Sequence, residues 1–384
     1  ASNFTGNVTV NGGTLVASSA AAANGSSGPL GVANAAGRRV TVGTGATLSF
    51  TSNNIYGNGV GNANLPTTAV NGGTLTSTRY NVLGNVELNG GTLTQSASDS
   101  GGYQGYQFRG TVAVGGSAAS SIETGNGKGN HLGANTVFNV ADATGNSDAD
   151  LTVSTPLLNQ SADFASAVGS LTKEGAGTMR LAPASVSTYT GATVVNGGEF
   201  RVDGTAAFSA VTVNSGATLS GSGTTGSVTS SGGIITPIGR FSTGSFSSDA
   251  ATVFRFDVGG LTPATGLSQL ATAGTLSLNG DLVVTLTSGF VPDVLAKVLL
   301  WENDGSLDSV VGVFTGLPEG STFAASGSAD PDDYWMITYQ ESGLAGTDGN
   351  DIALTYVPEP GSAALALAGA VPFLRRRRAA ASRK

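Results

Sequence analysis

A short phrase of alternating apolar and polar residues recurs along the chain and predicts its secondary structure. Each copy has two or three alternating positions, an Asn-Gly-Gly bend or a variant of it, and then Thr-Leu or a similar pair. Side chains of a strand point alternately to its two faces, so each alternating run is typical of a half-buried strand. Asn-Gly supplies the positive φ of a tight bend. Copies of this strand–turn–strand phrase lie at residues 8–15, 69–75, 86–93, 194–200 and 211–219, with a looser copy at 40–48.

The spacing of the copies predicts how these strands are arranged. The Asn residues of two neighbouring copies, Asn71 and Asn89, are 18 residues apart, and so are Asn196 and Asn214. A propeller blade needs about 40–45 residues, whereas a period near 18–20 suits one coil of a solenoid. We therefore predict an all-β parallel β-helix with Val, Leu and Ile inside and Thr, Ser and Asn outside. Antiparallel hairpins in a sandwich use the same turns and are the alternative.

The longest motif covers residues 171–202. It reads LTKEGAGTMRL from residue 171 and TYTGATVVNGG from residue 188. This segment resembles the autotransporter-associated β-strand repeat, with Met179 and Phe200 in place of two leucines of the family pattern. The resemblance implies a right-handed β-helical passenger displayed on a cell surface.

Composition excludes several classes of protein. Glycine supplies 59 of the 384 residues without a three-residue period, which excludes collagen. A charged content of 11% and a hydrophobic content of 39% differ from those of disordered chains. The absence of cysteine excludes disulfides and thiolate sites. Before Pro358, 11 basic residues face 24 acidic ones, so we expect no nucleic-acid partner.

From about residue 236 the phrasing changes to longer alternating runs, which also contain both tryptophans, Trp301 and Trp335. An uncovered last coil would leave a row of unpaired N–H and C=O groups that invites aggregation. We therefore predict three parts: a β-solenoid repeat region at 1–235, a C-terminal β capping region at 236–357, and a short hydrophobic tail at 358–384.

The tail contains three elements in order: a Pro-Glu-Pro motif, an apolar stretch and an arginine cluster. This arrangement resembles the PEP-CTERM sorting signal. The residues assigned to the sorting and processing signal are Val357, Pro358, Glu359, Pro360, Arg375, Arg376, Arg377 and Arg378. The residues assigned to the membrane segment are Ala363, Leu365, Leu367, Val371, Phe373 and Leu374.

The resemblance implies that an exosortase-type enzyme removes the tail after export and releases the protein to the envelope or extracellular matrix. The arginines are expected to stay on the cytoplasmic face. The 12 uncharged residues 363–374 span about 18 Å as a helix, short of a roughly 30 Å bilayer core, which favours a transient, cleavable contact with the inner membrane. An ordinary disordered basic tail is the alternative.

Few residues are candidates for chemistry. The single histidine, His131, could act as a base near Lys128 or Glu123, but without a nucleophile motif we expect a solvated loop residue. Among Asp142, Asp148 and Asp150 we expect a polar loop, with a calcium site as the alternative.

Three further segments are candidates for binding. The acidic segment 330–333 and the Gly/Asp segment 346–351 also suggest calcium; a hairpin turn before a last strand at 352–356 accounts better for the second. The aromatic segment 103–109, with Tyr103, Tyr106, Phe108 and Arg109, could stack on sugars or pack against the solenoid, and packing is favoured.

We assign no catalytic residue, metal ligand or cofactor. The sequence thus predicts an exported, non-catalytic structural or adhesive protein of the cell surface or matrix. Its expected partners are the secretion machinery, an exosortase-type enzyme, and exopolysaccharide or other surface glycans. The alternatives are a secreted β-helix carbohydrate-active enzyme of the polysaccharide-lyase kind, and a calcium-dependent carbohydrate-binding module.

Overall fold

The computed structural model describes residues 2–60, 64–99, 102–287, 289–303, 310–327, 334–341 and 349–357. Within these ranges the secondary structure consists of β-strands and two 3₁₀ helices, Ala162–Phe164 and Pro263–Thr265. Long sheets of parallel strands dominate, and successive strands of one sheet come from successive coils. The predicted all-β parallel β-helix is confirmed.

Sheets 1 and 2 form two sides of every complete coil, with 13 and 12 strands. Sheet 1 consists of β1 (Val8–Val10), β3 (Arg39–Val42), β5 (Thr67–Asn71), β8 (Val86–Asn89), β11 (Val112–Gly115), β14 (Thr136–Val140), β17 (Leu171–Glu174), β19 (Thr193–Val195), β22 (Val211–Asn214), β25 (Val228–Ser231), β28 (Phe246–Ser248), β31 (Leu276–Leu278) and β34 (Val311–Gly312). Sheet 2 consists of β2 (Thr14–Ala17), β4 (Thr47–Phe50), β6 (Thr74–Ser77), β9 (Thr92–Gln95), β12 (Ser120–Thr124), β15 (Leu151–Val153), β18 (Thr178–Leu181), β20 (Gly198–Val202), β23 (Ala217–Gly221), β26 (Ile234–Pro237), β29 (Val253–Val258) and β32 (Asp281–Leu286).

Two smaller sheets follow sheet 2 in chain order and close many of the coils. Sheet 3 consists of β7 (Asn81–Leu83), β10 (Tyr106–Phe108), β13 (Asn130–His131) and β16 (Leu157–Leu158). Sheet 4 consists of β21 (Thr205–Ala206), β24 (Thr224–Thr225), β27 (Arg240–Thr243), β30 (Gln269–Thr272), β33 (Lys297–Asn303), β35 (Thr322–Ala324), β36 (Tyr334–Glu341) and β37 (Asp351–Val357).

The core is built from columns of apolar side chains that occupy the same register position in successive coils. One column of sheet 2 is fully buried and runs through Leu48, Leu75, Leu93, Ile122, Val153, Leu181 and Val202. The alternating residues between these positions point outward, as a strand period of two requires. Each coil buries its apolar face only against its neighbours, so stability comes from stacking.

The Asn-Gly bends predicted from the repeated phrase connect sheet 1 to sheet 2. The side-chain Nδ2 of Asn89 donates to Oδ1 of Asn71 at 2.8 Å, and the same bond joins Asn214 to Asn196 at 2.7 Å. Gly90 follows Asn89 with a φ of 65°, in the left-handed region that favours glycine. The recurring asparagines therefore form amide ladders along the turn.

Coils differ in length although their strands stay in register. The paired residues Thr68 and Val86 are 18 residues apart, whereas Val8 and Val40 are separated by 32. The additional residues form loops outside the coil, such as residues 159–170, which include one 3₁₀ helix. Loop length therefore varies without disturbing the stacking.

Parallel coils continue across residues 236–286, because β26, β29 and β32 extend sheet 2 in parallel pairing. Antiparallel pairing begins with β33, which pairs with β37, and β36 and β35 follow outward. The Trp301 ring packs edge-on against Phe246, with centroids 4.9 Å apart. The antiparallel strands thus pair with the last parallel strand of sheet 4. Parallel pairing crosses the predicted boundary between residues 235 and 236. The boundary therefore remains a prediction based on the change in the sequence pattern.

Candidate functional surface

The predicted sorting signal begins where the described residues end. Val357 is the last residue of β37, is half-buried, and pairs with Tyr334 of β36. The other assigned residues lie outside the described residues: Pro358, Glu359, Pro360, Ala363, Leu365, Leu367, Val371, Phe373, Leu374, Arg375, Arg376, Arg377 and Arg378. In the part of the chain that is described, no helix has the length and apolar character needed to cross a bilayer.

The expectation of a solvated loop at His131 is wrong. His131 lies in β13 of sheet 3 and is only 4% exposed. Its Nε2 accepts the backbone N–H of Gln104 at 3.1 Å, and its Nδ1 lies 2.6 Å from the carbonyl oxygen of Asn159. These partners define a neutral ring with its proton on Nδ1. Burial lowers the pKa of His131, although the bond to Asn159 acts in the opposite direction.

Lys128 and Glu123, the candidate partners of His131, lie in other surroundings. The Lys128 ammonium donates to the backbone carbonyl of Asp99, and Glu123 is exposed on β12. The Tyr80 ring lies edge-on to the His131 ring, with the two ring centroids 6.2 Å apart. The contacts of His131 therefore hold sheet 3 against the loops around Gln104 and Asn159, and they form no acid–base pair with Lys128 or Glu123.

The aromatic segment 103–109 packs against the solenoid. Tyr106 and Phe108 are fully buried in β10, and the Tyr106 hydroxyl donates to the carbonyl of Thr94 at 3.0 Å. Tyr103 is the partly exposed ring, at 36%. The Arg109 guanidinium lies 4.5 Å from the centre of the Phe164 ring, above a loop. Packing, the favoured alternative, therefore describes this segment.

Two of the three acids of segment 142–150, Asp150 and Asp142, have separate structural roles. Asp150 is 1% exposed, and its two carboxylate oxygens accept the backbone N–H groups of Ala143, Thr144 and Thr178, each at 2.8 Å. Asp142 accepts the N–H of Gly145 within an exposed turn. The hydrogen bonds lower the pKa of Asp150 against the opposing effect of burial. Among the described residues no group of three His, Cys, Asp or Glu is placed to hold a metal ion.

The remaining acidic segments are described only in part. Residues 330–333 and 346–348 lie outside the described ranges. Asp351 is buried at the start of β37, where its Oδ1 accepts the backbone N–H of Asn303 at 2.8 Å. The predicted last strand is observed as Asp351–Val357.

Sequence reasoning missed a lysine inside the β-helix. Lys173 is fully buried in β17, where its Nζ donates to the carbonyls of Glu174, Gly175 and Gly197, each at 3.0 Å. Burial lowers the pKa of Lys173 to about 8, although nearby acids act in the opposite direction. A signal was available: Lys173 follows Leu171 at the two-residue spacing of an inward-facing position.

A polar cavity of about 400 Å³ lies beside two arginines, Arg38 and Arg109. Both guanidinium groups are bonded to backbone carbonyls, Arg38 to Gly6 and Val32 at 3.0 Å and Arg109 to Gly59 at 2.6 Å. Arg38 is only 3% exposed. These arginines thus tie the N-terminal loops to the coils.

Comparison with known families adds the decisive observation. Residues 1–17 and 171–202 match the passenger-associated-transport-repeat. The first match covers β1 and β2, and the second covers β17 to β20, so each match spans strands of both main sheets. No curated protein matches the chain significantly.

The chain carries passenger-associated transport repeats. The predicted resemblance of residues 171–202 to autotransporter-associated β-strand repeats is confirmed, and the match extends it to the N-terminal coil. The repeat is characteristic of passenger-type proteins and supports an exported, surface-associated or secreted protein.

Proposed function

We propose that this chain is an exported structural and adhesive protein of the cell envelope or extracellular matrix, with no catalytic role. The observation that carries the proposal is the combination of passenger-associated transport repeats with a parallel β-helix that continues through 13 strands of one sheet. Such a rod acts by presentation, since its outer ladders of Thr, Asn and Ser offer hydrogen-bonding groups at a constant repeat.

The environments of the most unusual titratable side chains support a structural role. His131, Lys173 and Asp150 are all buried, and each is bonded mainly to backbone groups. A general base needs access to the proton that it removes. These three residues instead satisfy buried N–H and C=O groups of loops and turns.

We propose further that the C-terminal tail sorts the protein through an exosortase-type enzyme after export by the secretion machinery. Support comes from the neighbourhood of the tail. An apolar loop lies beside the last strand: the N–H of Leu295 donates to the carbonyl of Tyr356 at 3.2 Å, and the N–H of Tyr356 donates to Ala296 at 2.8 Å. Val357 is the next residue, and the Pro-Glu-Pro motif follows it.

That loop exposes large apolar side chains. Val291, Val294 and Leu295 are 78%, 64% and 67% exposed, and Leu295 has a φ of 64°, an unfavourable conformation for a leucine. Exposed apolar side chains of this kind are suited to the interface of a bilayer. The loop would contact the membrane while the tail is inserted.

Fractionation of the native producer combined with intact mass tests the sorting proposal. We expect the protein outside the inner membrane, with a mass that ends near Pro358 to Pro360. A Pro358→Ala/Pro360→Ala variant should keep its full mass and stay with the membrane fraction. A matched control, Pro263→Ala in the 3₁₀ helix Pro263–Thr265 outside the apolar loop, should be processed normally. Wild-type protein released with all four arginines of 375–378 would contradict the proposal.

A further inference from the structure

Two arginines of neighbouring coils share one carboxylate on the outer side of sheet 2. Arg180 of β18 and Arg201 of β20 are register partners in the parallel pairing. The Nε of Arg180 donates to Oδ2 of Asp203 at 2.6 Å, and the Nε of Arg201 donates to the same oxygen at 2.9 Å. The Asp203 side chain is 9% exposed, and its other oxygen, Oδ1, accepts the backbone N–H of Ser222 at 3.3 Å.

This arrangement leaves hydrogen-bond donors unused. Like charges opposite each other on adjacent strands repel, and the Asp203 carboxylate, which both Nε groups share, reduces this repulsion. Each guanidinium uses its Nε on Asp203, and within the described part of the chain its Nη groups donate to no acceptor. The neighbouring acid Glu199 accepts the hydroxyls of Thr178 and Ser220 and makes no hydrogen bond to either guanidinium group; its charge remains beside the groove.

The two arginines border a polar groove of about 330 Å³. Its lining consists of Ser147, Asp148, Ala149, Thr152, Thr178, Arg180 and Arg201. Thr152 is the register partner of Arg180 on the preceding coil, so the lining spans three adjacent strands of sheet 2. Asp148 supplies the one carboxylate of this lining.

We propose that this groove binds a uronic-acid residue of an acidic polysaccharide. The guanidinium forks match a sugar carboxylate, which accepts two parallel N–H bonds from such a fork. Asp148 and the threonine hydroxyls then pair with the ring hydroxyls. The inference rests on the proposed envelope or matrix function and specifies the class of glycan.

The residues that line the groove favour an acidic ligand over a neutral one. None of the residues that line the groove is aromatic, so stacking on a ring face, which often supplies the energy for neutral sugars, is absent here. The remaining source of affinity is the charge-assisted hydrogen bond. The groove is open to water, so each contact is weak, and a polymer gains affinity by engaging several rods at once.

The test measures binding of the full chain to immobilised polygalacturonate, with dextran as the neutral polymer. We expect binding to polygalacturonate that weakens as salt is raised, and no binding to dextran. Arg180→Gln/Arg201→Gln should lower the affinity by about tenfold or more. The matched control is Arg255→Gln, which removes an exposed arginine from β29 of the same sheet and should leave binding unchanged.

Two more variants distinguish specific recognition of the sugar carboxylate from an effect of misfolding and from non-specific charge attraction. Thr152→Glu leaves both bonds to Asp203 in place and puts a competing carboxylate beside Arg180, so it should abolish binding in a folded protein. Arg180→Lys/Arg201→Lys keeps the charge and loses the forks, so binding should fall. Wild-type affinity in the lysine variant, equal binding to dextran, or no binding to polygalacturonate would overturn the inference. Fractionation of the native producer tests the envelope location independently of these outcomes.

Discussion

Lys173 and Val195 are register partners in adjacent coils, and both side chains lie fully inside the β-helix. In the preceding coil the register partner of Lys173 is Phe138, which is also buried. A lysine in a column of apolar side chains is costly unless its donors are satisfied. Three backbone carbonyls at the Gly-rich turns accept hydrogen bonds from the Lys173 ammonium group. Lys173 therefore stabilises these turns from inside the β-helix.

The burial of Lys173 predicts a specific pH dependence of stability. Its pKa is about 8 in the folded chain, compared with 10.5 as the ordinary value. Between these values the unfolded chain binds more protons, so the free energy of unfolding rises with pH. Relative to Lys173→Met, wild-type protein should gain about 2 kcal/mol between pH 7 and pH 9.5. Urea unfolding at several pH values measures this difference.

Lys297→Met is the matched control for this prediction, because the Lys297 side chain is 57% exposed and pairs with Glu341 at the surface. Its difference from wild type should stay constant over the same range. A constant difference for Lys173→Met as well would show that the Lys173 pKa is ordinary in the folded chain.

His131 predicts an acid limit to the stability of sheet 3. Its folded pKa is lowered, so the unfolded chain takes up a proton at a higher pH, and stability falls as the pH drops below about 6.5. The chain contains one histidine, so its imidazole proton signals in NMR are unambiguous. We expect a titration midpoint below 6.5 in the folded protein and at about 6.5 in urea. Equal midpoints would contradict the buried, neutral ring.

Calcium is predicted to leave the melting temperature unchanged. Asp150, the most buried acid of segment 142–150, has its oxygens occupied by three backbone N–H groups and by the hydroxyl of Thr144. The melting temperatures with calcium and with EDTA should agree within about 1 °C, since ligand binding stabilises the folded state by mass action. A calcium-dependent rise would indicate a cation site and favour a calcium-dependent binding module.

Asp150→Asn tests the structural role of the same carboxylate. The amide presents an N–H group where an oxygen now accepts backbone N–H donors, and we expect a loss of about 2 kcal/mol in the free energy of unfolding. Asp142→Asn is the control, because Asp142 caps one exposed turn that asparagine caps equally well. Similar losses in the two variants would contradict the assignment.

The glycines of the Asn-Gly-Gly phrase predict opposite responses in different coils. A Cβ on Gly91 would overlap the carbonyl oxygen of Val70 in the preceding coil, whereas a Cβ on Gly12 in the first coil meets nothing within 4 Å. Neither position has a positive φ, so backbone strain does not distinguish them. Gly91→Ala should lower the melting temperature by several degrees, and Gly12→Ala should leave it unchanged or raise it slightly. Equal effects would show that coil stacking does not set the requirement for glycine.

The sequence predicted the β-helix because its two determinants are local and repeated. The Val-x-Val alternation and the Asn-Gly bend mark the inward face and the turn within about ten residues of each other. The amide ladder from Asn71 to Asn89 follows directly from their spacing. The register of sheets 1 and 2 could therefore be predicted from the sequence pattern.

Sheet 3 could not be predicted in this way, because its polar residues are buried by loops that are distant along the chain. The partners of His131 are 27 and 28 residues away along the chain, and Gln107 accepts the N–H of Ser161 from 54 residues away. A glycine-rich segment with no apolar alternation resembles a loop, although here it enters a strand. The arginine groove had a usable signal: aligning residues 178–181 with 199–202 places Arg180 above Arg201.

The variable loops have a consequence for the dimensions of the molecule. Each coil advances the axis by one interstrand spacing, about 4.8 Å, whether its loops are short or long. Lengthening one loop therefore changes what projects from the side without moving the next coil along the axis. The length of the β-helix is therefore set by the number of its coils, whereas the width of each coil depends on its own loops.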